Sequence, residues 1–138
     1  MLMANSWQTK LAKPHSARLK RVDKPMMGMP AGSLMYISTP AEIEAYISEI
    51  PKGVWVDVST LRKDLAQAHG ADWTCPLTTG IFLRILAEAH VERIREGLTN
   101  EPICPFWRVI SPNSPLAKKL SFGPEFIQEK RQEEQGKA

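Results

Sequence analysis

The chain has 138 residues, 43% of them hydrophobic and 24% charged, with a net charge of +3. That length suits one compact domain, and the composition is too apolar for wholesale disorder and ordinary for a soluble globular protein. No run approaches the roughly 18 apolar residues of a membrane span, and Met1 to Lys13 lacks the features of a secretory signal. A cytoplasmic protein with Cys75 and Cys104 as reduced thiols is expected.

Six cations (Lys10, Lys13, Arg18, Lys20, Arg21 and Lys24) against Asp23 alone give residues 8–24 a charge of +5, leaving −2 for the rest. Pro14, Pro25, Gly28, Pro30 and Gly32 interrupt the region, so residues 1–32 are expected as a basic arm. Such an arm is either a solvated terminus or a phosphate-neutralising tail that draws the chain to nucleic acid. Ser33 to Ser38 is β-capable. Thr39, Pro40 and Glu42 then have the spacing of a capping box with proline at N1. Ile43, Tyr46, Ile47 and Ile50 mark the buried face of the helix that follows, which Pro51 and Gly53 end.

Trp55 to Val58 reads as a brief strand, and Ser59 as the cap of a second helix with Leu61, Leu65 and Ala68 inward and Gly70 as its stop. A connector, Ala71 to Pro76, leads to the longest helix, Leu77 to Glu96, with Ile81, Phe82, Ile85, Leu86, Ala89 and Ile94 apolar and Gly97 beyond its end. Trp107 to Ile110 and Leu116 to Leu120 are expected to pair as strands around the turn Ser111 to Ser114. A last helix starts near Pro124 with Phe126 and Ile127 inward. The order predicts a mainly α fold with short β strands, compatible with a winged helix-turn-helix.

Little catalytic chemistry stands out. His15, His69 and His90 are far apart and neither cysteine belongs to a CxxC pair, so no metal site is expected. There is no GxGxxG, no GxxxxGK[ST] and no GxSxG, and no cofactor is implied. A nucleophilic thiol has to be partly ionised. Cys75 precedes a helix start, which favours ionisation, whereas Cys104 leads into Pro105, Phe106 and Trp107, which favours the neutral form.

The segment Ile103-Cys104-Pro105-Phe106-Trp107-Arg108-Val109-Ile110 resembles the I-P-C-H-R-V-[VI] active-site strand of the O6-alkylguanine-DNA alkyltransferases. Pro105, Arg108, Val109 and Ile110 match. Phe106 stands where that family has its alkyl-accepting cysteine, and Trp107 where it has the activating histidine. Ile50-Pro51-Lys52-Gly53 is similar to the I-P-x-G that opens the family's DNA-binding region, followed by Leu61 and Leu65-Ala66 as its first helix. Thr79-Gly80 lies at the V-G pair of the recognition helix, and Ser121, Gly123 and Lys130 resemble the closing S-G-G-x-x-x-K. The match spans roughly residues 41–135, with a longer interval from Gly80 to Pro105 than the family has. Val58 replaces the tyrosine that helps rotate the target nucleotide, and Leu77 the arginine that fills the gap in the base stack.

The resemblance implies a winged-helix domain over residues 33–135 of the cysteine-less, alkyltransferase-like branch, with duplex DNA, including alkylated duplex, and a repair protein as partners. It puts Pro105, Phe106, Trp107 and Arg108 at the lesion pocket and Leu77, Thr79 and Gly80 on the DNA. Arg84 on the long helix, Lys118 and Lys119 on the wing, and Lys20 and Arg21 in the arm are then phosphate contacts. Phenylalanine accepts no alkyl group, so no transfer is expected through Phe106. Two other readings stay open: a protein-interaction module that keeps the fold without DNA, and a cryptic enzyme using Cys75 or Cys104.

Overall fold

The computed structural model describes residues 6–97 and 104–136. The fold is mainly helical with a small three-stranded sheet. Its elements in chain order are α1 (Trp7–Ala12), β1 (Arg18–Arg21), β2 (Leu34–Ile37), α2 (Pro40–Ser48), α3 (Val58–Ala68), β3 (Trp73–Thr74), α4 (Pro76–Arg95), a 3-10 turn (Phe106–Arg108), α5 (Pro115–Lys119) and α6 (Glu125–Glu134). In the sheet β2 is central, antiparallel to β1 and parallel to β3. Among the described residues, no helix is long and apolar enough to cross a membrane.

Of the lead-in expected as an arm, the described residues 6–32 are built into the fold. Carboxylate oxygens of Glu92, on α4, accept from the backbone N–H groups of Trp7 and Gln8 at 3.3 and 3.0 Å. A negative charge is thereby set against the positive end of α1. The Gln8 amide donates to both Glu92 and Glu96. Farther on, β1 pairs along its length with β2, Leu19 opposite Tyr36 and Lys20 opposite Met35.

Thr39 caps α2 by accepting from the Glu42 N–H, with Pro40 at the first helical position. The Glu42 carboxylate turns away from the expected reciprocal bond. It accepts from Tyr36 Oη and Ser38 Oγ, both at 2.6 Å, and lies 2.6 Å from His69 Nε2, tying β2 and α3 to α2. Ile43, Ile47, Leu61, Leu65, Leu83, Leu86, Ile110 and Ile127 fill the main core with Phe106 and Trp107.

Three expected strands are absent. Residues 54–57 are irregular, with the Val56 N–H donating to the Arg108 carbonyl, and Asp57 rather than Ser59 caps α3. Trp107 to Ile110 begins inside the 3-10 turn because its side chains are enclosed together instead of alternating between a core and solvent. Leu116 to Leu120 is α5 and its end, started by Ser114 as cap and Pro115 at N1. No strand pair therefore stands between residues 107 and 120. In α3 Ala66, not Ala68, is buried. In α4 burial centres on Leu83, Leu86 and Ala87, while Ile81 faces outward.

Candidate nucleic-acid interface

The connector between α3 and α4 is held from both sides. Arg62 Nε donates to the Thr74 carbonyl at 3.2 Å, and Thr74 Oγ1 donates to the Arg62 carbonyl at 2.7 Å. Asp72 accepts from the Leu34 N–H through its carboxylate and donates its own N–H to the Leu34 carbonyl. The Cys75 N–H donates to the Tyr36 carbonyl. These bonds fix the amino-terminal end of α4, from which Leu77 (62% exposed) and Ile81 (47% exposed) project.

The expected DNA-contacting residues divide. Leu77 is available and Gly80 is half-buried, with open space where a Cβ would stand. Thr79 is not available: it is 1% exposed and its hydroxyl donates to the Cys75 carbonyl at 2.7 Å. Its spacing of four, three and four to Leu83, Leu86 and His90 places it on the buried stripe of α4. Arg84 lies over the Trp7 ring, 5.1 Å from its centroid, and 3.9 Å from Glu88, so α1 partly covers it. Lys118 and Lys119 are exposed, on the last turn of α5 rather than on a wing. Lys20 and Arg21 are exposed on β1, and Arg21 Nη1 donates to the Gly32 carbonyl. The hairpin and α4 are joined underneath, because Cys75, immediately before α4, is buried in one cluster with Val22, Met29 and Met35. α5 has no extended contact with either element.

The four residues expected around a lesion pocket are also separated. Phe106 is fully buried, with the rings of His90, Trp107, Phe122 and Phe126 at 5.4–5.8 Å between centroids. The space a base would enter beside it is filled. Pro105, Trp107 and Arg108 instead border a cleft of about 450 Å³ between the end of α2, at Ser48, and α6, at Lys130 and Glu134; α4 contributes nothing to its lining. Ile103, the first residue of the family-like segment, lies outside the described residues.

Glu134, unremarked in the sequence, organises this region. Its carboxylate accepts from Trp107 Nε1 at 2.6 Å, from Arg108 Nε and Nη2 at 2.9–3.1 Å, and from the Gly53 N–H at 2.9 Å. Burial alone would raise its pKa, but these donors and the Arg108 charge outweigh it and hold the carboxyl below its usual range. Arg108 Nη1 also donates to the Ile50 carbonyl, and Arg131 Nε to the Trp107 carbonyl. A signal was present in the sequence: a glutamate in the last turn of a helix opposes the helix dipole and needs another partner.

Both cysteines are buried and neither is in a disulfide. Burial, aided by the Glu44 charge, pushes the Cys104 thiol up to about 12. Among the described residues no three His, Cys, Asp or Glu side chains gather as metal ligands. No protein-family model matches the chain, and no curated protein and no solved structure is significantly similar to it.

His90 supplies a pH prediction. Burial, reinforced by the charges of Lys130 and Arg93, lowers its pKa to about 4 from 6.5. The unfolded chain then binds the proton more readily than the folded one between those values, so stability falls as pH drops through that window. The expected loss is on the order of 3 kcal/mol at pH 4 relative to pH 7. Urea unfolding across this range should show a steeper slope for the native chain than for His90→Leu; equal slopes would assign the acid sensitivity elsewhere.

Proposed function

We propose that this chain is a non-catalytic, duplex-DNA-binding protein of the alkyltransferase-like kind, with α4 as the element laid against the groove. The observation that carries the reading is the amino-terminal end of α4: it is fixed by the connector, turns Leu77 and Ile81 outward, and stands beside a hairpin bearing Lys20 and Arg21. In this reading α3 and α4 follow one another in the order of a helix-turn-helix, with a connector, residues 69–75, longer than the usual three or four residues. The basic β1–β2 hairpin takes the place of the wing. The enclosed Phe106 and the buried thiols support a role without alkyl transfer.

The test is a titration against two matched duplexes, one carrying O6-methylguanine, at low and moderate salt. Affinity should fall as salt rises, and replacing Lys20 and Arg21 together by alanine should flatten the logarithmic salt slope by about two. A preference for the methylated duplex would add damage sensing and a repair partner to the reading. Absent or salt-independent binding would overturn it.

The filled space around Phe106 favours a second reading, in which Leu77 and Ile81 meet an apolar protein surface. A salt-resistant complex with a co-purifying protein, in a chain indifferent to DNA, would establish that one. Transfer through Cys75 or Cys104 is the third, and an unchanged intact mass after incubation with alkylated duplex removes it.

A further inference from the structure

Residues 22–33 close the turn between β1 and β2, and their chemistry is unusual for a surface turn. The run Pro25-Met26-Met27-Gly28-Met29-Pro30 puts three methionines between two prolines. Met29 points inward and is buried with Val22, Met35 and Cys75. Met26 and Met27 are 44% and 45% exposed at the tip. The tip is braced: Met26 and Met29 exchange backbone hydrogen bonds at 3.0 and 2.7 Å, the Val22 N–H donates to the Ser33 carbonyl while the Val22 carbonyl accepts from the Gly32 N–H, and Arg21 holds the Gly32 carbonyl. The two central residues, Met27 and Gly28, have φ of +48° and +82°. That is the conformation of a tight hairpin turn whose first central position ordinarily carries asparagine, aspartate or glycine. A methionine there is strained and presents an apolar side chain to water, so folding alone does not account for it.

The stem supplies the other half. All four residues of β1 are exposed, and Arg18, Lys20, Arg21 and Lys24 face only Asp23 over residues 18–24. A narrow hairpin with an apolar tip and cations along its first strand complements a nucleic-acid groove, where phosphates flank a path to the stacked bases. Apolar wedges, methionine among them, enter such stacks from the minor groove and kink the duplex.

We propose that Met26 and Met27 form a wedge that enters the minor groove and opens a base step, while Arg18, Lys20, Arg21 and Lys24 neutralise the flanking phosphates. The inference rests on the DNA-binding reading above and adds to it a groove, a distortion and the residues that cause it. It also gives the chain a stack-opening element at a site other than Leu77. Because Met29 and Cys75 share one buried cluster, the hairpin is positioned relative to the start of α4 and both can engage one duplex.

The experiment uses the full chain and an A·T-rich duplex of about 25 base pairs, short against the DNA persistence length. It carries a donor–acceptor pair at its ends and, in a second version, 2-aminopurine at a TA step. The native chain should raise end-to-end energy transfer, as expected for a kink of roughly 20–90°, and brighten 2-aminopurine by unstacking it. The variant M26T/M27N puts a turn-compatible asparagine at the positive-φ position, so the hairpin is retained. Compared with the native chain at protein concentrations that saturate the duplex, which the phosphate contacts still permit, it should lose most of both signals. Undiminished signals in the variant, or native binding with neither signal, would overturn the wedge and leave DNA binding standing. No binding by the native chain at low salt would overturn both, as would attachment to anionic vesicles in place of DNA.

Discussion

Replacing Glu134 by alanine is expected to destabilise the fold by about 1–3 kcal/mol, more than the loss of an exposed ion pair and less than that of a fully buried one, because both partners border the open cleft. The effect follows from what is left behind. Arg108, whose side chain is mostly enclosed, would lose its counter-charge and keep only the Ile50 carbonyl among its described partners. The Trp107 indole N–H and the Gly53 N–H would lose their acceptor at the same time. Glu134→Gln keeps an acceptor without the charge and should fall between alanine and the native chain. Because the folded-state pKa is depressed, the contribution is present above the unfolded value of about 4.3 and is lost as pH falls through the lower folded value. Urea midpoints at pH 7 and pH 3 read both effects. A loss under about 1 kcal/mol at pH 7, the size of an exposed ion pair, would mean that the loop before α3 and the 3-10 turn are held by packing and by their remaining hydrogen bonds, from the Val56 N–H to the Arg108 carbonyl among them.

Phe106→Cys restores the residue type that an alkyltransferase has at this position, and it is expected to transfer nothing. The new thiol would stand where Phe106 is now fully buried among His90, Trp107, Phe122 and Phe126, and apolar burial raises a thiol's pKa. The cost in stability should be about 3 kcal/mol, close to the range for Phe→Ala at a core position. Intact mass after incubation with duplex carrying O6-methylguanine should show no added methyl group. Methylation of the introduced thiol would mean that the aromatic cluster opens to admit a base.

The helices were legible where local chemistry settles them. Thr39 with Pro40 announces α2, and Gly70 and Gly97 end α3 and α4 with φ of +65° and +71°. What escaped depends on distant partners or on too few residues. α1 is held largely by Glu92, about 85 positions away. β1 is exposed along its whole length and shows no alternation, and β3 is two residues long. Residues 107–110 form a short apolar run, for which periodicity alone does not separate strand from enclosed turn. The Ser114-Pro115 pair, by contrast, is a helix-start signature that outweighs the β-like look of Leu116 to Leu120. Of the candidate interface, the exposed basic side chains of Lys20, Arg21, Lys118 and Lys119 were legible from charge. The burial of Thr79 was not, because the polar residue lies on the face α4 shares with its core leucines. The methionine tip needed the turn geometry before it meant anything.

The docking of α1 has a consequence for the order in which the chain matures on the ribosome. Gln8 is made before its partners Glu92 and Glu96, which follow 84 and 88 residues later. At roughly 5–20 residues per second of translation, the segment waits about 4–18 s before α4 exists to receive it. α1 therefore closes onto a body whose later helices are being completed, and it should be among the first parts to exchange amide hydrogens once the protein is whole.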